Sequence, residues 1–124
     1  MRIRFALAAA AIATFGLGAI PVRAQEPAPA PRTAQTHTVR FGEYFYRPQK
    51  LTIDRGDSVR FVNIGKIEHT VADSTKGGTI RSRTIKPRPL GRGRSQTVRF
   101  TRPGTAYYLC TFHPELMRGV VVVR

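Results

Sequence analysis

The feature that most constrains the fold is an apolar–polar–apolar alternation that keeps returning along the chain. Val39 and Phe41, Leu51 and Ile53, Val59 and Phe61, and Val98 and Phe100 each flank one polar residue. Successive side chains of a strand point to opposite faces, so a period of two calls for strands with one buried face. Helical spacing is not convincing anywhere. Turn chemistry separates the runs: DRGD at 54–57, IGK at 64–66, KGG at 76–78, GRG at 91–93 and RPGT at 102–105. Short strands with frequent turns build an all-β sandwich or a small barrel. The last run, Val120 to Val123, is apolar without alternation. That suits a central strand covered on both faces, with edge pairing to another chain as the other use of such a run.

Residues 1–24 read as an export signal: a basic start at Arg2 and Arg4, an apolar run from Phe5 to Ile20, and small residues at Val22 and Ala24. The run holds two glycines, meets Pro21 at once and is short for a spanning helix. Cleavage after Ala24 is therefore expected, leaving 100 of the 124 residues with no membrane span, in the periplasm. Residues 25–35, QEPAPAPRTAQ, are Pro/Ala-rich and form an extended leader. Residues 36–124 form one domain, expected to be monomeric, large enough to hide roughly two thirds of the surface of its unfolded chain.

Charge narrows the partners. Without Arg2, Arg4 and Arg23, 18 of the 21 basic residues remain against 7 acidic ones, a formal charge of +11. Such a charge suits nucleic acid in the cytoplasm, but export removes that partner. An acidic protein or an anionic membrane surface is then the counterpart, and solubility is the plainest use of the charge. Residues 74–94 concentrate it: seven Lys/Arg, no acid, two prolines and four glycines, with room for at most one short strand around Thr79 to Ile85. The segment is either a basic docking surface or a solvated loop.

The chemistry concentrates in YYLCTFHPELMRG, residues 107–119. The single cysteine, Cys110, cannot pair within the chain, so it is a buried bystander, an intermolecular link, a reactive thiol or a metal ligand. Taken singly, a cysteine is a small buried hydrophobe, a methionine a gap filler and a loop histidine a solvated donor. Together, thiolate, imidazole and thioether are the donors that favour copper, and two histidines, one cysteine and a weak axial methionine form the trigonal site of electron-transfer copper proteins. Cys110, His113 and Met117 supply three of these. Of the remaining histidines, His37 starts the first strand, whereas His69 follows the turn NIGKIE and leads into the β-branched run HTVA, so His69 is the fourth ligand.

YLCTFHPELMRGVVVV, residues 108–123, resembles the C-terminal ligand loop of the cupredoxins, above all their amicyanin-like branch. PGT at 103–105, Tyr108 two before the cysteine and Asn63 six before His69 extend the likeness over nearly all of residues 36–124. The resemblance implies an eight-stranded Greek-key β-sandwich in which His69, Cys110, His113 and Met117 bind one copper ion that carries single electrons between redox proteins. It also implies that Asn63 ties the His69 loop to the neighbourhood of Thr111, a contact that orients ligands. Phe112, Pro114 and Leu116 would rim His113 as the docking surface for an acidic redox partner. The chain departs from that branch in having three residues between His113 and Met117 instead of two, and Glu68 and Thr70 beside His69 where Pro and Asn are usual.

Three rival uses of these residues fit less of the pattern. Zinc takes methionine poorly and in structural sites prefers paired thiolates or histidines at regular spacing. A Cys–His nucleophile needs an activating base and an oxyanion site, and no third member is visible, so the chain is not read as an enzyme. Copper delivery or storage favours several methionines or paired cysteines, where this chain offers one of each.

Overall fold

The computed structural model describes residues 9–124. The basic start of the expected signal, Arg2 and Arg4, lies outside the described residues. The chain divides into Met1–Pro31 and Arg32–Arg124. In the first unit, residues 9–31 carry neither helix nor strand and expose their side chains. Among the described residues no helix is long and apolar enough to cross a membrane.

The second unit is all strand. Its eight elements are β1 (Thr36–Gly42), β2 (Phe45–Arg47), β3 (Lys50–Ile53), β4 (Ser58–Asn63), β5 (Ala72–Ser74), β6 (Ser95–Arg99), β7 (Gly104–Leu109) and β8 (Arg118–Val123). They form two four-stranded sheets, β2-β1-β4-β6 and β3-β8-β7-β5. After the β1–β2 hairpin the chain passes from sheet to sheet up to β7, and two pairings, β1 with β4 and β3 with β8, are parallel. This is the Greek-key sandwich that the alternation and the ligand loop pointed to.

Each alternating run buries the side the pattern assigned. Val39, Phe41, Ile53, Val59, Phe61, Val98 and Phe100 join one core between the sheets, and Leu51 packs partly buried against it. Tyr108 stands at its centre, its ring edge-on to Tyr46 at 4.8 Å and to Phe61 at 5.1 Å. The residue opposite Tyr108 on β8 is Gly119. A Cβ there would meet the Tyr108 ring and hydroxyl at 2.4 Å, so a glycine is what lets this aromatic lie against the neighbouring strand. The valine run of β8 is central, between β3 and β7, as expected. Its outer face is half-buried rather than covered, since Val121 and Val123 are buried while Val120 and Val122 are partly open.

The basic segment forms no strand between Thr79 and Ile85; Ile80 makes only an isolated bridge to Ser74. A carboxylate consumes the N–H groups a ladder would need: Asp73 accepts from Arg83 and Thr84 on one oxygen and from Ile85 on the other. That anchors Ile85 in the core while the surrounding lysines and arginines stay in water.

A second buried carboxylate fastens the start of the compact unit. Asp57 accepts from the Gln35 N–H and the Arg32 guanidinium on one oxygen, and lies 2.8 Å from His37 Nε2 with the other. His37 is therefore committed to this clasp. The Gln35 N–H above all, then His37 and Arg32, hold the Asp57 carboxyl well below its ordinary range. A carboxylate so depressed contributes stability above the pKa it has when unfolded, and that contribution drains away as pH falls toward the folded value. Asp57→Asn should therefore lower stability at neutral pH and flatten the acid limb below about pH 4. Urea unfolding across an acid pH series measures this, and parallel limbs in the two proteins would contradict it.

Candidate metal centre

β7 and β8 pair up to Leu109 and Arg118, and the eight residues between them make two turns. His113 N–H donates to the Cys110 carbonyl at 3.2 Å, and the Leu116 and Met117 N–H groups donate to the His113 carbonyl at 3.1 and 3.0 Å. The bond from Met117 to His113 closes one helical turn that is not continued, which is how the loop takes three residues between histidine and methionine. Cys110 N–H donates to the Met117 carbonyl at 3.0 Å and shuts the base of the loop. Arg118 stiffens it from outside, Nε donating to the Pro114 carbonyl at 2.6 Å and the guanidinium pairing with Glu115 at 3.1 Å.

His69 reaches the same place from the β4–β5 connection. Its backbone pairs with that of Leu90 in both directions. The Asn63 amide donates to the carbonyls of Ile67 and Leu90 at 2.8 and 2.7 Å and accepts from Gly65 N–H at 2.7 Å, fixing the curve of the loop. Just beyond, the Tyr46 hydroxyl donates to the Thr70 carbonyl at 2.6 Å.

The result is a cluster of three donors. Cys110 Sγ lies 3.8 Å from His69 Nδ1 and 3.8 Å from His113 Nδ1, and all three atoms fall within 4.8 Å of one another. A first-row metal ion sits about 2.0–2.1 Å from nitrogen and about 2.3 Å from thiolate sulfur. At trigonal angles those lengths place N and S about 3.8 Å apart, so the spacing fits an ion among them. His69 and Cys110 are fully buried and His113 is half-buried. Burial first, and the neighbouring His113 second, push the His69 pKa below its ordinary value, so its ring favours the neutral form that offers a lone pair.

Met117, fully buried in the core cluster, is bonded through its backbone to both Cys110 and His113. Around His113, Phe112 and Leu116 are exposed and Pro114 is half-buried. The expected link from Asn63 to Thr111 is not formed, because the Asn63 amide is spent on Gly65, Ile67 and Leu90. Thr70 makes it instead: its Oγ1 accepts from Thr111 N–H at 2.8 Å and lies 2.7 Å from Thr111 Oγ1. Thr70 N–H also donates to Cys110 Sγ at 3.4 Å.

Two further residues went unnoticed in the sequence. The turn joining β1 to β2 sends Glu43 toward His69, with Oε1 3.7 Å from Nε2, and lays Tyr44 edge-on to the His113 ring at 4.8 Å. Nothing in GEYF marks these roles, whereas Thr70, as a hydroxyl residue next to a proposed ligand, could have been tried as its anchor. Thr70→Val keeps shape but strands the Thr111 N–H, so it should destabilise the metal-free protein by about 1–3 kcal/mol. Thermal and urea unfolding measure this, and an unchanged midpoint would show the tie to be idle.

Comparison with known proteins agrees with this geometry. Residues 34–124 match the family model of copper binding proteins of the plastocyanin/azurin family. The chain is 31% identical to amicyanin of Paracoccus denitrificans, over 98% of this chain and 95% of that one. It is 32% identical to amicyanin-alpha of Methylorubrum extorquens, over 98% and 97%. Among solved structures it is similar to a purple cupredoxin from Nitrosopumilus maritimus, with TM-score 0.66 and 25% identity over 71% of this chain and 99% of that one. A reduced amicyanin point mutant gives TM-score 0.62 and 30% identity over 72% and 82%. With its sandwich, its cysteine–histidine cluster and a family match spanning the whole strand-built unit, the chain belongs to the plastocyanin/azurin family of copper-binding proteins.

Proposed function

We propose that this protein is a periplasmic electron carrier, not an enzyme, and that His69 Nδ1, Cys110 Sγ and His113 Nδ1, with Met117 as a weaker fourth donor, would hold one copper ion. The observation that carries this reading is the trio of donors, two buried and one half-buried, at the spacing a trigonal ion needs. Its relatives named amicyanin and its leader sequence support it. Bound copper would supply a one-electron Cu(II)/Cu(I) couple.

The protein supplies what makes such a couple usable. His69 and the cysteine loop come from connections fixed by different strands, so neither donor can shift without disturbing sheet packing. Burial of His69 and Cys110 keeps water from the sulfur. The Thr70 N–H donates to that sulfur and lowers its electron density, one of the interactions that tune the potential of such sites. His113, the one member of the trio that is partly open, would be the route by which electrons reach and leave the ion. Around it Tyr44, Phe112 and Leu116, 49%, 51% and 67% exposed, form with Pro114 an apolar rim against which a redox protein can dock.

Adding Cu(II) to the purified protein should give an intense thiolate-to-copper band in the visible and a type 1 paramagnetic signal, both lost in Cys110→Ser. A colourless copper complex, or a band that survives the substitution, would refute the assignment. The formal charge of +11 beyond residue 24 also favours an acidic partner. Encounters of electron carriers rely on steering more than on packing. The second-order rate with an acidic redox protein should therefore fall as ionic strength rises from 0.01 to 0.1 M, where the screening length contracts from about 30 Å to about 10 Å. Stopped-flow mixing measures it, and a flat profile would exclude electrostatic guidance.

A further inference from the structure

With Nδ1 of His69 turned toward Cys110, the other ring nitrogen has nothing to bond. Nε2 is fully buried and has no hydrogen-bond partner. An imidazole that gives one nitrogen to a metal carries its proton on the other, and a buried N–H needs an acceptor. Phe41 lies edge-on to the ring at 6.1 Å and Tyr44 at 6.4 Å, and His113 lies tilted to it at 5.3 Å. The polar group beside Nε2 itself is the Glu43 carboxylate, 3.7 Å away.

Glu43 is held in that place. Its Oε1 accepts the N–H groups of Lys66 and Ile67, two and three residues before His69 in the same loop. Gly65 leaves the space it needs, for a Cβ there would come within 2.5 Å of the same oxygen. Side chain, loop backbone and missing Cβ together bring a negative charge to the back of a buried imidazole.

We propose that Glu43 is a positioning residue of the metal centre: with copper bound it closes from 3.7 Å to accept the His69 Nε2–H, fixes the tautomer and plane of the ring, and its charge favours Cu(II) over Cu(I). The inference rests on the copper reading above and goes beyond it by naming what sets the electronics of the buried ligand. Carboxylates that take the free N–H of a metal-bound histidine raise the basicity of that ligand, and a nearby anion stabilises the more highly charged ion.

The test uses the copper-loaded protein with Glu43→Gln and Glu43→Ala. Glutamine keeps an oxygen for the Lys66 and Ile67 N–H groups and removes the charge; alanine removes both. The reduction potential, from voltammetry, should rise in both variants while the thiolate band persists. In the Cu(I) protein the His69 Nε2–H should give a downfield, slowly exchanging proton resonance, shifted upfield in Glu43→Gln and lost to solvent exchange in Glu43→Ala. A wild-type potential in both variants with the band intact overturns the proposal and leaves the copper reading standing. A raised potential with the ring resonance unmoved also overturns the positioning role, since only long-range charge would then be acting. Absence of the band from the wild-type protein defeats the copper reading first.

Discussion

Everything at the metal end depends on one constraint: three donor atoms, one of them 41 positions from the other two's loop, are enclosed together where water cannot reach two of them. A thiol and two imidazoles at about 4 Å satisfy one another poorly, since N–H···S contacts of 3.8 Å are long and weak. The sandwich holds them there because each rides on backbone fixed for other reasons. Cys110 follows β7 directly and is closed off by the Met117 carbonyl; His69 is clipped to Leu90; Tyr46 reaches across from β2 to hold the carbonyl of Thr70. Fold stability thus keeps in place a group of side chains that gains little from its own company. A metal ion resolves that conflict.

The fold was legible because its cause is periodic. Val39 and Phe41, or Val59 and Phe61, face the core for the same reason at each repeat, and a period of two survives in the sequence whatever the strands pair with. The ligand loop was legible because its donors are crowded into eight residues. Other features depend on contacts between segments far apart. Thr70 and Thr111 meet across 41 positions, and Glu43 meets the loop of Lys66 and Ile67 across 23 and 24. Such encounters leave no local pattern. Asn63 shows how resemblance misleads at that level: the residue is where the family pattern expects it, but its amide serves its own loop, and a hydroxyl beside His69 has taken over the link to Thr111.

The basic segment teaches the same lesson about charge. Seven cations in a turn-rich stretch suggested either a docking face or a loose loop, and a count of charges cannot separate the two. Asp73 gives the segment a definite shape by gathering three consecutive N–H groups, at Arg83, Thr84 and Ile85, onto one carboxylate. The cations are thereby displayed from a pinned backbone, so the field they cast has a fixed direction relative to the sheets.

The cysteine-to-methionine excursion is sealed at its neck by the Leu109–Arg118 pair and the bond from Cys110 to Met117. Beyond that seal, length is a local matter. One more residue between His113 and Met117 is absorbed as a wider turn, and β8 keeps its register against both β3 and β7. Mutation can therefore lengthen or shorten the stretch between Cys110 and Met117 without asking the sheets to change register. A lineage built on this architecture is free to explore new redox properties while its foundations stay unaltered.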